Sequence, residues 1–234
     1  MPVADPEQAA FGALRCTDDG AWCAEIVTEE EYGPATLRVF RGRLVEGATP
    51  AFTQAFGEAG QTRFTLWPQV FGGSAGRALM LGVEAAYSTG YSGGGGSSRE
   101  LRLLRLTTAE GGKVEAAEVL AVMISGSIMI RACFGERDMR NRLGACHDEY
   151  DFTGTLEAVG EGDPPVLRLR TKATTYPADV RRSEDSTLSK LRKRDLVHTV
   201  DPACSYERTL TFDRANGVYA ADQPLPDCSD YTAP

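Results

Sequence analysis

Apolar positions along this 234-residue chain recur mostly with a period of two, in short runs separated by Gly, Pro, Asn and Asp. A period of two sends alternate side chains to opposite faces of a strand, and the separating residues are those of tight turns. The runs predict strands at 22–28, 36–43, 63–71, 99–107, 119–125, 128–134, 149–159, 166–174, 206–213 and 217–221. In 36–43, Leu37 and Val39 oppose Arg38 and Phe40. In 166–174, Leu167 and Leu169 alternate with Arg168 and Arg170. Pro68 within 63–71 marks a sheet edge or a bulge, because it has no N–H for a ladder. The run 79–87 is ambiguous: Ala, Leu, Met and Glu favour helix, while the flanking glycines and short length favour strand.

Turn chemistry pairs several of these runs. Ser125-Gly126-Ser127 reads as a turn between two buried strands. GEGDPP joins 149–159 to 166–174, and Asn216-Gly217, a preferred tight-turn pair, joins 206–213 to 217–221. Two segments read as helix. One is 7–14. The other is 186–194, with Asp185 as N-cap and Arg192, Lys193 and Arg194 suited to a helix C-terminus. Gly 25 and Pro 12 exceed the usual share, and the excess lies between strands. Ser92–Ser98, SGGGGSS, has linker composition and reads as a mobile surface loop.

A faint repeat is visible: apolar strand, Tyr-containing end, polar excursion, alternating strand, Gly turn, strand. It recurs from 79 and from 167, with a shorter version at 22–44. The expectation is an all-β, antiparallel, single domain over 1–234, with 1–14 a partly flexible N-terminal segment. A propeller-like arrangement of meanders is preferred to a two-sheet sandwich, with one short helix near 186–194.

Six cysteines stand at Cys16, Cys23, Cys133, Cys146, Cys204 and Cys228, none in CxxC spacing. That excludes zinc ribbons and thioredoxin-type redox motifs. Pairing sequence neighbours closes three short segments with turn residues inside them, and such bridges persist in oxidising compartments. The expected location is periplasmic or secreted. The opening MPVADPEQAA lacks a basic n-region and an apolar h-region, so the chain reads as a mature form. The longest charge-free apolar stretch, 119–130, is far short of the ~20 residues a membrane helix needs. Lys+Arg 25 against Asp+Glu 33 gives −8, which argues against a general nucleic-acid binder.

Candidate chemistry is sparse. His147, Glu149 and Asp151 fall on one face of a predicted strand, with Asp148, Tyr150 and Phe152 on the other. One imidazole and two carboxylates are a possible ligand set for a divalent metal, or a solvated strand face. Gly72-Gly73-Ser74-Ala75-Gly76 fits the nucleophile elbow G-x-S-x-G, and Ser74, Asp195 and His198 follow the hydrolase order, with His147 as an alternative base. The βαβ context of that motif is missing. Ser92–Ser98 lacks the Gly-Lys-Ser/Thr of a phosphate loop, and no cofactor motif is present. Asp18, Asp19, Glu29, Glu30 and Glu31 lack EF-hand spacing. Arg181–Asp195 carries +3 net, leaving −11 on the remainder.

The preferred expectation is a non-enzymatic binding or interaction scaffold of the cell envelope, meeting an envelope protein or a polysaccharide. Its working surface would carry Tyr91, Tyr176, Arg192, Lys193 and Arg194. The alternative is a hydrolase using a metal at His147/Glu149/Asp151 or the Ser74 nucleophile.

Overall fold

A computed structural model describes residues 14–28, 34–42, 45, 47–57, 62–72, 78–160 and 162–234. Strands make up 57% and helical turns 9%, so the class is all-β. Two antiparallel meanders follow one another. The first contains β1 (Arg15–Cys16), β2 (Trp22–Thr28), β3 (Ala35–Arg41) and β4 (Phe52–Phe56) in chain order. The second runs through β5 (Thr62–Gly72), β6 (Leu79–Tyr91), β7 (Gly94–Thr108), β8 (Val114–Arg131), β9 (His147–Val159) and β10 (Val166–Tyr176), then β12 (Glu207–Asp213) and β13 (Val218–Ala221). The two-residue β11 (Thr199–Val200) pairs with β10 beside β12. Each long strand pairs with its sequence neighbour, the connection that tight turns allow for antiparallel strands.

Three clusters form the core along the large sheet. In the first, Ile26, Leu37 and Val39 of the small sheet pack on Leu79, Leu81 and Val83 of β6 and on Leu104 and Leu106 of β7. The second lies on the opposite face, where Met80, Leu101 and Leu103 meet Trp67, Leu156, Leu167, Leu169 and Tyr219. β7 feeds both clusters by plain alternation, with Leu101 and Leu103 on one face and Leu104 and Leu106 on the other. The sheet curls around this second cluster until β13 reaches β6. The Tyr219 hydroxyl donates to Pro165 O at 2.8 Å and sits 3.7 Å from Met80 Sδ. The third cluster joins Ile128, Tyr150, Phe152 and Ala173 to Tyr231 of α2 (Ser229–Thr232).

Several expectations change. The propeller is not seen: no sheet closes, and the strands form two continuous sheets. The ambiguous run at 79–87 is strand β6. Ser92–Ser98 is not a loop. Only Ser92 and Gly93 form the turn, and Gly94 onward is β7, paired on both sides. Glycine is required there by close approach. A Cβ on Gly94 would stand 2.1 Å from Met129 O, and one on Gly96 would stand 2.7 Å from Pro234 Cβ. Ser125-Gly126-Ser127 is likewise no turn but the middle of the 18-residue β8, where a Cβ on Gly126 would stand 2.1 Å from Tyr231 O. The helix expected at 186–194 is two separate 3-10 turns, Ser186–Leu188 and Lys193–Asp195, with Ser189 extended between them. The reason is tertiary: Leu191 N donates to Asn141 O, outside its own segment, at 2.9 Å. The helix expected at 7–14 lies outside the described residues except for Leu14. Pro68 does sit on the edge strand, at a register shift between Leu66 and Val70.

Candidate functional site

Three irregular segments gather at one end of the large sheet. The first, between β8 and β9, carries α1 (Glu136–Asn141) and is closed by Cys133–Cys146. Its helix begins where Asp138 Oδ2 accepts from the N–H groups of Phe134 and Gly135, at 3.0 and 3.1 Å. The second runs for thirty residues from Pro177 to Tyr206, between β10 and β12. The third is the C-terminal stretch that ends in α2, tied to the second by Cys204–Cys228. Cys16–Cys23 clasps β1 to β2 in the small sheet.

A buried ion pair pins the first two segments to the sheet. Arg142 is fully buried and spends its guanidinium on three partners: Ala145 O at 2.8 Å, Ser186 O at 2.6 Å and the Asp148 carboxylate. The Ser186 hydroxyl donates to the other oxygen of Asp148. A buried charge is tolerated when paired and hydrogen-bonded in this way. Further along, Arg182 donates to the carbonyls of Ser229, Asp230 and Ala233, and Ala178 N donates to Asp195 O at 2.8 Å. Asp185 caps its turn by accepting from Thr187, which holds its carboxyl below the usual range. Tyr231 donates to Asp201 at 2.9 Å and stacks edge-on against Tyr150. Burial first, and then neighbouring carboxylates, raise both phenols above their ordinary value.

The surface so fixed is both apolar and cationic. Phe134 is 65% exposed, Met139 53% and Leu188 80%. Helix α1 packs against the Ser186–Leu188 turn, which sets Met139 and Leu188 on adjoining segments. Lys190, Arg192 and Lys193 are exposed beside them, and none has an ion-pair partner among the described residues. Arg194 pairs with Asp195 at 3.6 Å.

The alternation expected on β9 is present: Asp148, Tyr150 and Phe152 are buried, while His147 is exposed and Glu149 and Asp151 half-buried. Among the described residues, however, the donor atoms that converge are those of Glu149, Asp151 and His198, all within 4.8 Å of one another. His147 is not in that group: four strand residues span roughly 13 Å, which sets it far from Asp151 along β9. His198 comes from the residue before β11 and crosses over β10, where its ring lies on Tyr176 at 5.1 Å between centroids.

The other sequence candidates separate. Tyr91 is exposed at the end of β6, in register with Gly94 and through it with Ile130 and buried Asp148. Tyr176 is in register with Glu149 and Met129. The two tyrosines therefore belong to opposite faces. Ser74 lies outside the described residues. Asp195 Oδ2 accepts from Arg192 N at 2.8 Å, so its carboxylate closes a turn. A cleft of about 410 Å³ between the sheets is lined by Arg15, Asp18, Trp22, Leu66, Trp67 and Pro68, and neither histidine reaches it.

Sequence reasoning missed Arg142 and the partnership of His198. The usable signal for Arg142 was Asp148: an acid on the buried face of a strand requires a cation or donors nearby. No family model, curated protein or solved structure matches this chain.

Proposed function

We propose that this chain is an exported, non-enzymatic interaction scaffold that docks an acidic protein partner on the platform formed by α1 and the 177–206 connection. The observation that carries the reading is the pinning of that connection. Thirty residues with only two 3-10 turns and one two-residue strand are held by a disulfide, a buried ion pair and a set of backbone bonds. Loops this long inside compact domains are usually functional or disordered, and this one is ordered. Exposed Phe134, Met139 and Leu188 beside unpaired Lys190, Arg192 and Lys193 match the composition of protein interfaces, in which aromatic residues, Met and Arg are enriched. Three disulfides support residence in an oxidising compartment. No helix among the described residues is long and apolar enough to cross a membrane.

The test is crosslinking in an envelope extract, comparing wild type with Met139→Ser/Leu188→Ser and with Arg192→Ser/Lys193→Ser/Arg194→Ser. The expected result is one acidic protein captured by wild type, lost in the apolar variant, and captured more weakly by the cationic variant with less dependence on salt. Equal capture by all three proteins would overturn the platform, as would a partner of basic charge.

A further inference from the structure

We propose that Glu149, Asp151 and His198 bind one divalent transition-metal ion of the Zn2+ type. The inference does not depend on the scaffold reading. Three observations support it. First, the donor atoms converge: all three lie within 4.8 Å of one another. Metal–ligand bonds of about 2 Å put donors roughly 3.3–4 Å apart around one ion, so closure needs a shift of about 1 Å.

Second, the donors have no other employment. Neither carboxylate has an ion-pair or hydrogen-bond partner, and the imidazole has only its ring contact, among the described residues. The other two carboxylates of β9 are matched, Asp148 by Arg142 and Glu157 by Arg170 at 3.2 Å, as is Glu207 of nearby β12, which pairs with Arg168 at 3.3 Å and Arg170 at 2.7 Å. Two half-buried carboxylates side by side repel one another unless a cation neutralises them.

Third, the imidazole is positioned. The ring lies on Tyr176, itself opposite Glu149 in the ladder, and His198 adjoins β11, which holds the chain against Thr174 and Thr175. The donor set selects the ion class. Calcium takes six to eight oxygens, whereas imidazole with carboxylate suits zinc and its first-row neighbours. Three protein ligands leave at least one coordination position open to water or to an incoming carboxylate.

The experiment is calorimetric titration of ZnCl2 into chelator-stripped, dialysed full-length protein. Wild type is expected to bind one ion per chain. Affinity should fall about tenfold or more in His198→Ala and in Glu149→Gln/Asp151→Asn, and remain unchanged in His147→Ala. Circular dichroism melts establish that each variant is folded. Zinc-edge X-ray absorption of the loaded wild type supplies a measurement free of mutation, with one imidazole and oxygen donors expected. Absence of saturable binding, equal affinity in wild type and His198→Ala, or a spectrum without imidazole scattering would each overturn the site.

Discussion

Removing Arg142 should unfasten two segments at once. Its side chain is 0% exposed and donates to Ala145 O, Ser186 O and Asp148. In Arg142→Ala, Asp148 keeps only the Ser186 hydroxyl and remains 3% exposed. Losing one member of a buried pair costs about 3–5 kcal/mol, chiefly because the survivor is left buried and uncompensated. Total stability is about 5–15 kcal/mol, so a large fraction is at stake. At about 2–4 °C per kcal/mol for a chain of this length, the melting temperature should fall by about 6–20 °C. Asp148→Asn should cost a similar amount by stranding the guanidinium. The double change Arg142→Met/Asp148→Leu leaves no charge behind and should cost less than the sum of the singles, with a coupling of about 1–3 kcal/mol. Chemical denaturation of the four proteins gives the cycle, and limited proteolysis within 183–191 reports whether the connection has come loose. Single changes within about 0.5 kcal/mol of wild type, or strictly additive ones, would refute the pin.

Four further outcomes follow from other parts of the structure. Replacing Cys204 and Cys228 by Ser opens a loop with a sequence separation of 24; denaturation should show a loss of about 3 kcal/mol by the chain-entropy estimate, and no loss would contradict a structural role. Gly126→Ala drives a Cβ to 2.1 Å from Tyr231 O and should cost about 1–3 kcal/mol, with loss of the near-ultraviolet signal of the Tyr150–Tyr231 pair. Gly135→Ala, in extended backbone with nothing within 4 Å, should change stability by less than about 0.5 kcal/mol. The Tyr219 phenol is raised from 10.0 to about 12, mainly by burial. Its folded-state value exceeds its unfolded one, so its contribution is complete below pH 10 and is lost as pH rises toward 12. Base unfolding followed by tyrosinate absorbance should show Tyr219→Phe lacking that part of the pH dependence, and identical profiles would contradict it.

Most strands were legible because alternation is a local property. Leu37/Val39 and Leu167/Leu169 point inward wherever the sheet lies, and the buried Asp148/Tyr150/Phe152 face follows from period two. Sequence-neighbour disulfides were legible too, since each closes a short segment of chain, with separations of 7, 13 and 24. What escaped notice depends on distant chain. Gly94, Gly96 and Gly126 look like turn residues because glycine is depleted in strands. Their need for glycine comes from Met129, Pro234 and Tyr231, which arrive from elsewhere. The 186–194 segment has helical propensity, but Arg142 and Asn141 engage its backbone and divide it, as tertiary contacts commonly override weak local preference. Of the candidate metal ligands, Glu149 and Asp151 are two apart and visible in sequence, whereas His198 joins them only through the pairing of β11 with β10.

The most direct measurement is backbone nitrogen-15 relaxation across 177–206 in the free protein. A pinned platform predicts order parameters near the rigid-backbone value of about 0.85, matching those of β9 and β10, with the smallest differences around Ser186 and Cys204. Values below about 0.6 through 183–197 in wild type would show a loose loop, and would contradict the claim that this connection is held as a surface for recognition.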